Sequence, residues 1–169
     1  MNVADLLLDG FGRVAQEVRA VVGGLSRDEL AWRVDPAANT VGWLVWHLTR
    51  VQDDHVASAF GQDQVWTTGG WRGRFGLPFP TSATGYGHDA AAVGAVTPDG
   101  DLLLAYHEAV HARTLDLVRG VTPGELDRIV DERWGGVSLG VRLVSVLSDD
   151  LQHVGQAAFV RGVLDRTSR

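Results

Sequence analysis

The chain contains no cysteine, no lysine and no apolar run of membrane-spanning length. Without cysteine there is no disulfide framework and no thiolate ligand, so a metal site would have to be built from His, Asp or Glu. Without lysine, all fifteen positive charges are arginines, scattered along a chain whose net charge is -6. Nucleic-acid binders gain affinity by clustering positive charge against phosphates. No such cluster is present, and nucleic acid is excluded as an expected partner. The richest apolar stretch, residues 139–147, is interrupted by Gly140, Arg142 and Ser145, so no membrane association is expected. Asp5 and Asp9 stand where a signal peptide would carry a basic region and an apolar core. A cytoplasmic location is the resulting expectation.

What is present is helical patterning. The 169 residues are 45% hydrophobic, enough for a single domain over residues 1–169 with a sizeable core. Leu6, Leu7, Phe11, Val14, Val18 and Val22 recur at three- and four-residue spacing and predict a first helix over residues 3–22, ended by Gly23 and Gly24. Ser26 and Glu29 have capping-box spacing for a short turn. Thr40 is placed to cap a second long helix over 41–60. Thr97-Pro98 is placed to open a third over 98–119, and Ser138 a fourth over 139–164. Residues 129–137 read as extended, with a Gly135-Gly136 turn. Between the second and third long helices lies a stretch of 61–96, rich in Gly and aromatic residues. Loops of that length are functional or disordered, and the density of large apolar rings argues for an ordered crossover. The expected fold is all-α: a four-helix bundle with a long crossover between helices two and three.

Two sets of residues carry chemistry. His47 lies in an apolar part of the second long helix. Asp149 and His153 lie one turn apart on the fourth, so they share a face. Two imidazoles and a carboxylate form a borderline site for zinc, nickel or iron(II), and three protein ligands leave positions open for water or substrate. The alternative is a buried histidine hydrogen-bonded to a carboxylate on the fourth helix, with Asp150 as the rival acid. The second set is His107-Glu108-Ala109-Val110-His111, which has the form H-E-x-x-H of zinc peptidases. The downstream segment offers neither a clear third ligand nor a substrate-binding strand, and the match is expected to be a decoy, with His111 partly exposed and His107 free to face the site.

The stretches Val41-Gly-Trp-Leu-Val-Trp-His47 and Asp149-Asp-Leu-Gln-His153-Val-Gly-Gln156 resemble the DinB-like superfamily, which includes mycothiol-dependent maleylpyruvate isomerases and related thiol transferases. The order of helices and the crossover are similar too. The resemblance implies one metal ligand on helix two and two, four residues apart, on helix four before a Gly-Gln pair. His47, Asp149 and His153 occupy those positions. It implies a divalent metal, zinc or nickel, and a low-molecular-weight thiol as co-substrate. The activity implied is a thiol-dependent transferase or isomerase acting on small electrophiles, probed against two alternatives: a metal-dependent hydrolase, and a non-catalytic metal-stabilised binding module. A homodimer and a small-molecule substrate are further expectations. On the crossover, Arg72, Arg74 and His88 are candidates for gripping anionic groups, because the arginine fork suits carboxylates. Trp46 and Trp71 are candidate pocket walls, and Asp54 is either a hydrogen-bond acceptor behind a ligand or an ion-pair partner.

Overall fold

The computed structural model describes residues 1–167, except for the side chain of Trp134. Four long helices dominate it. Helix α1 spans Val3–Val22 and opens with a reciprocal cap: Asn2 Oδ1 accepts from the Asp5 amide and Asp5 Oδ2 from the Asn2 amide, each at 2.9 Å. Its apolar stripe, Leu7, Phe11, Val14, Val18 and Val21, is buried. The short helix α2 (Arg27–Leu30) starts at the expected Ser26–Glu29 cap. Helix α3 (Val41–Ala59) starts at Thr40, whose Oγ1 accepts from the Trp43 amide. Helix α3 is buried on nearly every face up to Asp53, because two helices and the crossover all pack on it. The crossover contains short helices α4 (Val65–Thr68), α5 (Trp71–Phe75) and α6 (Ala90–Gly94). Then come α7 (Gly100–Val118) and α8 (Leu139–Thr167). Between these two, strands β1 (Ile129–Asp131) and β2 (Val137–Ser138) form a small antiparallel hairpin around positive-φ Gly135 and Gly136.

Inter-helix contacts set the topology. Arg19 of α1 meets Glu108 of α7, and Gly100 lies against Val22, so α1 and α7 are antiparallel. Gly10 lies against Leu147, and Arg161 donates to the carbonyls of Ala20, Val21 and Gly23, so α1 and α8 are parallel. Thr49 meets His107 and Gln52 meets Thr114, so α3 and α7 are also parallel. Consecutive long helices that run the same way require the chain to return along the bundle. That return is about 28 Å for a 19-residue helix, which accounts for the long crossover.

The crossover is pinned from below by charge. Arg50 and Asp53, on α3, are both buried and 3.4 Å apart. Asp53 accepts from the amides of Val65 (2.8 Å) and Trp66 (2.7 Å), opening α4, and from the Tyr106 hydroxyl (2.9 Å). Arg50 donates to Ala83 O, Tyr106 Oη and Gln64 Oε1, and its guanidinium lies 4.9 Å from the Trp66 ring centre. Around this pair Trp66, Trp71, Phe75 and Tyr106 pack ring to ring.

One expected boundary shifts. Helix α7 begins at Gly100 with Asp99 as its N-cap, instead of at Pro98 behind Thr97. Asp99 makes no side-chain cap bond, because both its oxygens are taken by Arg27 at 2.8 and 2.9 Å.

Candidate metal centre

His47 reaches the site from the buried middle of α3. Its Nδ1 lies 2.6 Å from the carbonyl oxygen of Thr84. A carbonyl can only accept, so Nδ1 carries the proton and Nε2 keeps its lone pair. The Trp43 indole stacks on the same ring, 4.6 Å between centres and 13° from parallel. Thr84 can come this close because the next residue is glycine. Gly85 has φ +103°, and a Cβ there would stand 2.7 Å from His47 Nδ1 and 3.1 Å from carbons of Trp43 and Trp46. Burial pushes the His47 imidazolium down, against the opposing pull of the Thr84 carbonyl, so neutral imidazole is the form held at neutral pH.

Asp149 and His153 enter from α8, one turn apart. His153 Nε2 lies 3.6 Å from Asp149 Oδ1, and its ring centre lies 4.6 Å from that of His47. His153 Nδ1 sits 3.3 Å from Gln156 Oε1. One donor atom from each of His47, Asp149 and His153 falls within 4.8 Å of the others. The group could therefore hold a metal ion, and two further observations fit one. Asp149 Oδ2 is buried without a hydrogen-bond partner among the described residues, an arrangement that costs free energy unless a cation answers it. The donor set, two imidazole nitrogens and a carboxylate, suits borderline divalent ions. The rival acid, Asp150, faces the other way. It belongs to the core stripe of α8, is fully buried, and burial raises its carboxyl well above the usual range.

Two of the triad, His47 and Asp149, line one end of a cavity of about 550 Å³, with His55, Asp131, Arg133 and Arg142 towards the other end and Tyr86 exposed at its rim. A volume of this size suits a small-molecule ligand. Asp54 also lines it, accepting from Gln64 Nε2 at 2.6 Å and lying 3.7 Å from His55 Nδ1. Asp54 thus pairs with the crossover and with His55. Sequence reasoning passed over His55, Thr84, Gly85, Arg133 and Arg142. For His55 a signal existed, its position two turns after His47. The others are brought in by the crossover and the hairpin, which no helical period reports.

The crossover candidates sit elsewhere. Arg72 and Arg74 are exposed, and the Arg74 guanidinium lies 4.0 Å over the Trp71 ring. Trp71 is packed on Tyr106, and Trp46 is buried between Trp66, Phe79 and His88. His88 accepts from Trp43 Nε1 at 3.2 Å and packs on Phe79, 4.4 Å between ring centres. These five build the crossover and its contact with α3, and none of them lines the cavity beside the triad. The H-E-x-x-H pair is also apart from it. His107 is fully buried, bonded to Thr49 Oγ1 at 3.1 Å, and stacks with His111 at 6.1 Å. His107 therefore faces the bundle interior and not the site.

Comparison with known proteins identifies the fold and the family. A conserved protein from Enterococcus faecalis of known crystal structure superposes with a TM-score of 0.87 at 26% identity, covering 95% of this chain and 96% of that one. No curated protein matches. No helix among the described residues is long and apolar enough to cross a membrane. The model of the DinB superfamily matches residues 11–157, a span that includes His47, Asp149 and His153, and the chain belongs to that superfamily.

Proposed function

We propose that this protein is a metal-dependent transferase or isomerase that uses a low-molecular-weight, mycothiol-like thiol against a small electrophile. The observation that carries the reading is the triad itself: His47, Asp149 and His153 converge, two of them line a ligand-sized cavity, and an orphaned carboxylate oxygen lies among them. A divalent ion such as zinc or nickel, when bound there, supplies Lewis acidity that lowers the pKa of a coordinated thiol. The chain does the rest. The Thr84 carbonyl fixes the His47 tautomer and turns Nε2 outward. Asp149 would supply an oxygen donor whose negative charge offsets part of the ion's. Trp43 covers the His47 ring and keeps water from that face.

A homodimer belongs to the same proposal. Val141, Val144, Leu151 and Phe159 are exposed along one face of α8, an apolar strip that a second copy would cover. Cobalt substitution followed by thiol titration tests the thiol chemistry. A sulfur-to-metal charge-transfer band on adding thiol, absent in His47→Ala, is the expected result. A metal-loaded protein with no such band would remove thiol chemistry and leave metal-assisted hydrolysis.

A further inference from the structure

The far end of the cavity holds two arginines and two aspartates, and the arginines are not both used up by the acids. Asp131, at the tip of β1, takes Arg133 through Nε at 2.9 Å and Nη2 at 2.7 Å. The same carboxylate takes Arg142 Nη2 at 2.8 Å. Two guanidinium groups thus share one carboxylate, which they hold far below the usual carboxylate range. Arg142 is largely buried, with 15% of its side chain exposed. The bond to Asp131 is the one hydrogen bond its side chain makes among the described residues. Its Nε and Nη1 are not sealed in the protein, and the residue lines the cavity. The second carboxylate, Asp54, accepts from Gln64 and lies beside His55, and its charge also reaches Arg133. A second cavity of about 240 Å³, lined mainly by polar groups, continues behind the same residues.

The helices fix how far this cluster lies from the triad. Arg142 precedes Asp149 by seven residues on α8, about 10 Å along the axis. His55 follows His47 by eight on α3, about 12 Å. Side chains of a helix lean towards its N-terminus, which carries the Arg142 head further from Asp149. The cavity is therefore a slot with a candidate metal at one end and unspent guanidinium donors at the other.

We infer that Arg142, helped by Arg133, forms an anion subsite for a carboxylate carried by the same small molecule whose other end meets the triad, roughly 10 Å away. A planar fork with open N–H groups matches a carboxylate two donors at a time. The inference deepens the metal-dependent reading and rests on it for the second anchor point alone.

The test uses cobalt-substituted protein and ω-mercaptocarboxylates of increasing chain length, each beside the mercaptoalcohol of equal length. Affinity is read from the sulfur-to-metal band. The carboxylate should bind about tenfold more tightly than its alcohol once the chain spans the slot, the worth of one charge-assisted hydrogen bond. Arg142→Met should bring that ratio to near one without changing the alcohol's affinity. Asp131→Asn, which removes the competing carboxylate, should raise the ratio, an effect that loss of structure would not produce. Equal affinity of acids and alcohols at every length, or a ratio indifferent to both substitutions, would overturn the subsite. If no thiol gives a band, the thiol reading has failed on its own. The subsite is then judged on the protein as purified, by whether hexanoate and not hexanol shifts the Arg142 Nε–H resonance; no shift overturns it.

Discussion

Replacing Gly85 by alanine should damage the candidate metal centre without touching a ligand. The residue has φ +103°, and a Cβ would come 2.7 Å from His47 Nδ1. The backbone penalty is about 1–2 kcal/mol for a side chain in left-handed conformation. For a chain of this size that lowers the melting temperature by about 2–8 °C. The clash adds a specific effect: either the imidazole or the Thr84 carbonyl must move, and their 2.6 Å hydrogen bond is lost. Bonds of that kind behind a metal ligand are worth about 10–100-fold in metal affinity. Gly87→Ala supplies the control, since φ there is +76° with nothing within 4 Å of a Cβ. Both variants should melt earlier, and Gly85→Ala alone should lose zinc to a chromophoric chelator at about tenfold lower competitor concentration or less. Equal zinc affinity in the two variants would refute the claim that the crossover holds His47 in its ligating form.

Three further outcomes follow from the buried groups and the α8 face. Burial pushes His107 from 6.5 down to about 3; the unfolded chain therefore takes up the extra proton between those values, and stability is full above pH 6.5 and falls as pH drops. The slope is about 1.4 kcal/mol per pH unit, so urea midpoints of His107→Leu should fall less steeply than wild type between pH 6.5 and 4, and identical slopes would contradict the burial. Asp53→Ala leaves Arg50 buried and unpaired, at a cost of about 3–5 kcal/mol, and should expose residues 61–96 to limited proteolysis; an unchanged digestion pattern would mean that the crossover is held by its aromatic contacts alone. Phe159→Glu should convert a dimer seen by light scattering into monomer, whereas a wild-type protein that is monomeric at micromolar concentration would remove the proposed α8 interface.

The bundle was legible because its helices carry a regular apolar period and standard caps, as at Asn2, Ser26 and Thr40. His47, Asp149 and His153 were singled out by the resemblance of residues 41–47 and 149–156 to the DinB-like superfamily, since an acid and a histidine one turn apart on a helix leave a simple hydrogen-bonded pair equally open. Thr97 misled, because local capping propensity was overridden by the ion pair of Asp99 with Arg27, 72 residues away in sequence. Arg50 and Asp53 drew no notice; their partners lie 12 to 56 residues away, on the crossover and α7. Arg142 registered only as a break in an apolar run, since its partner Asp131 arrives through the hairpin. The aromatic and arginine-rich crossover suggested a substrate grip, yet its rings are spent on packing against Tyr106 and α3. Composition marks such a segment as ordered without saying which of its faces meets the ligand.

The central claim is that His47, Asp149 and His153 bind one divalent ion. Elemental analysis of protein purified without chelator tests it most directly, alongside His153→Ala and the double variant His107→Ala/His111→Ala. The account predicts about one divalent ion per chain in the wild type and in the double variant, and loss of most of it in His153→Ala, because three ligands become two. Wild-type protein that carries no divalent metal and takes none up at micromolar concentration would contradict it, as would a double variant that loses the metal while His47→Ala keeps it.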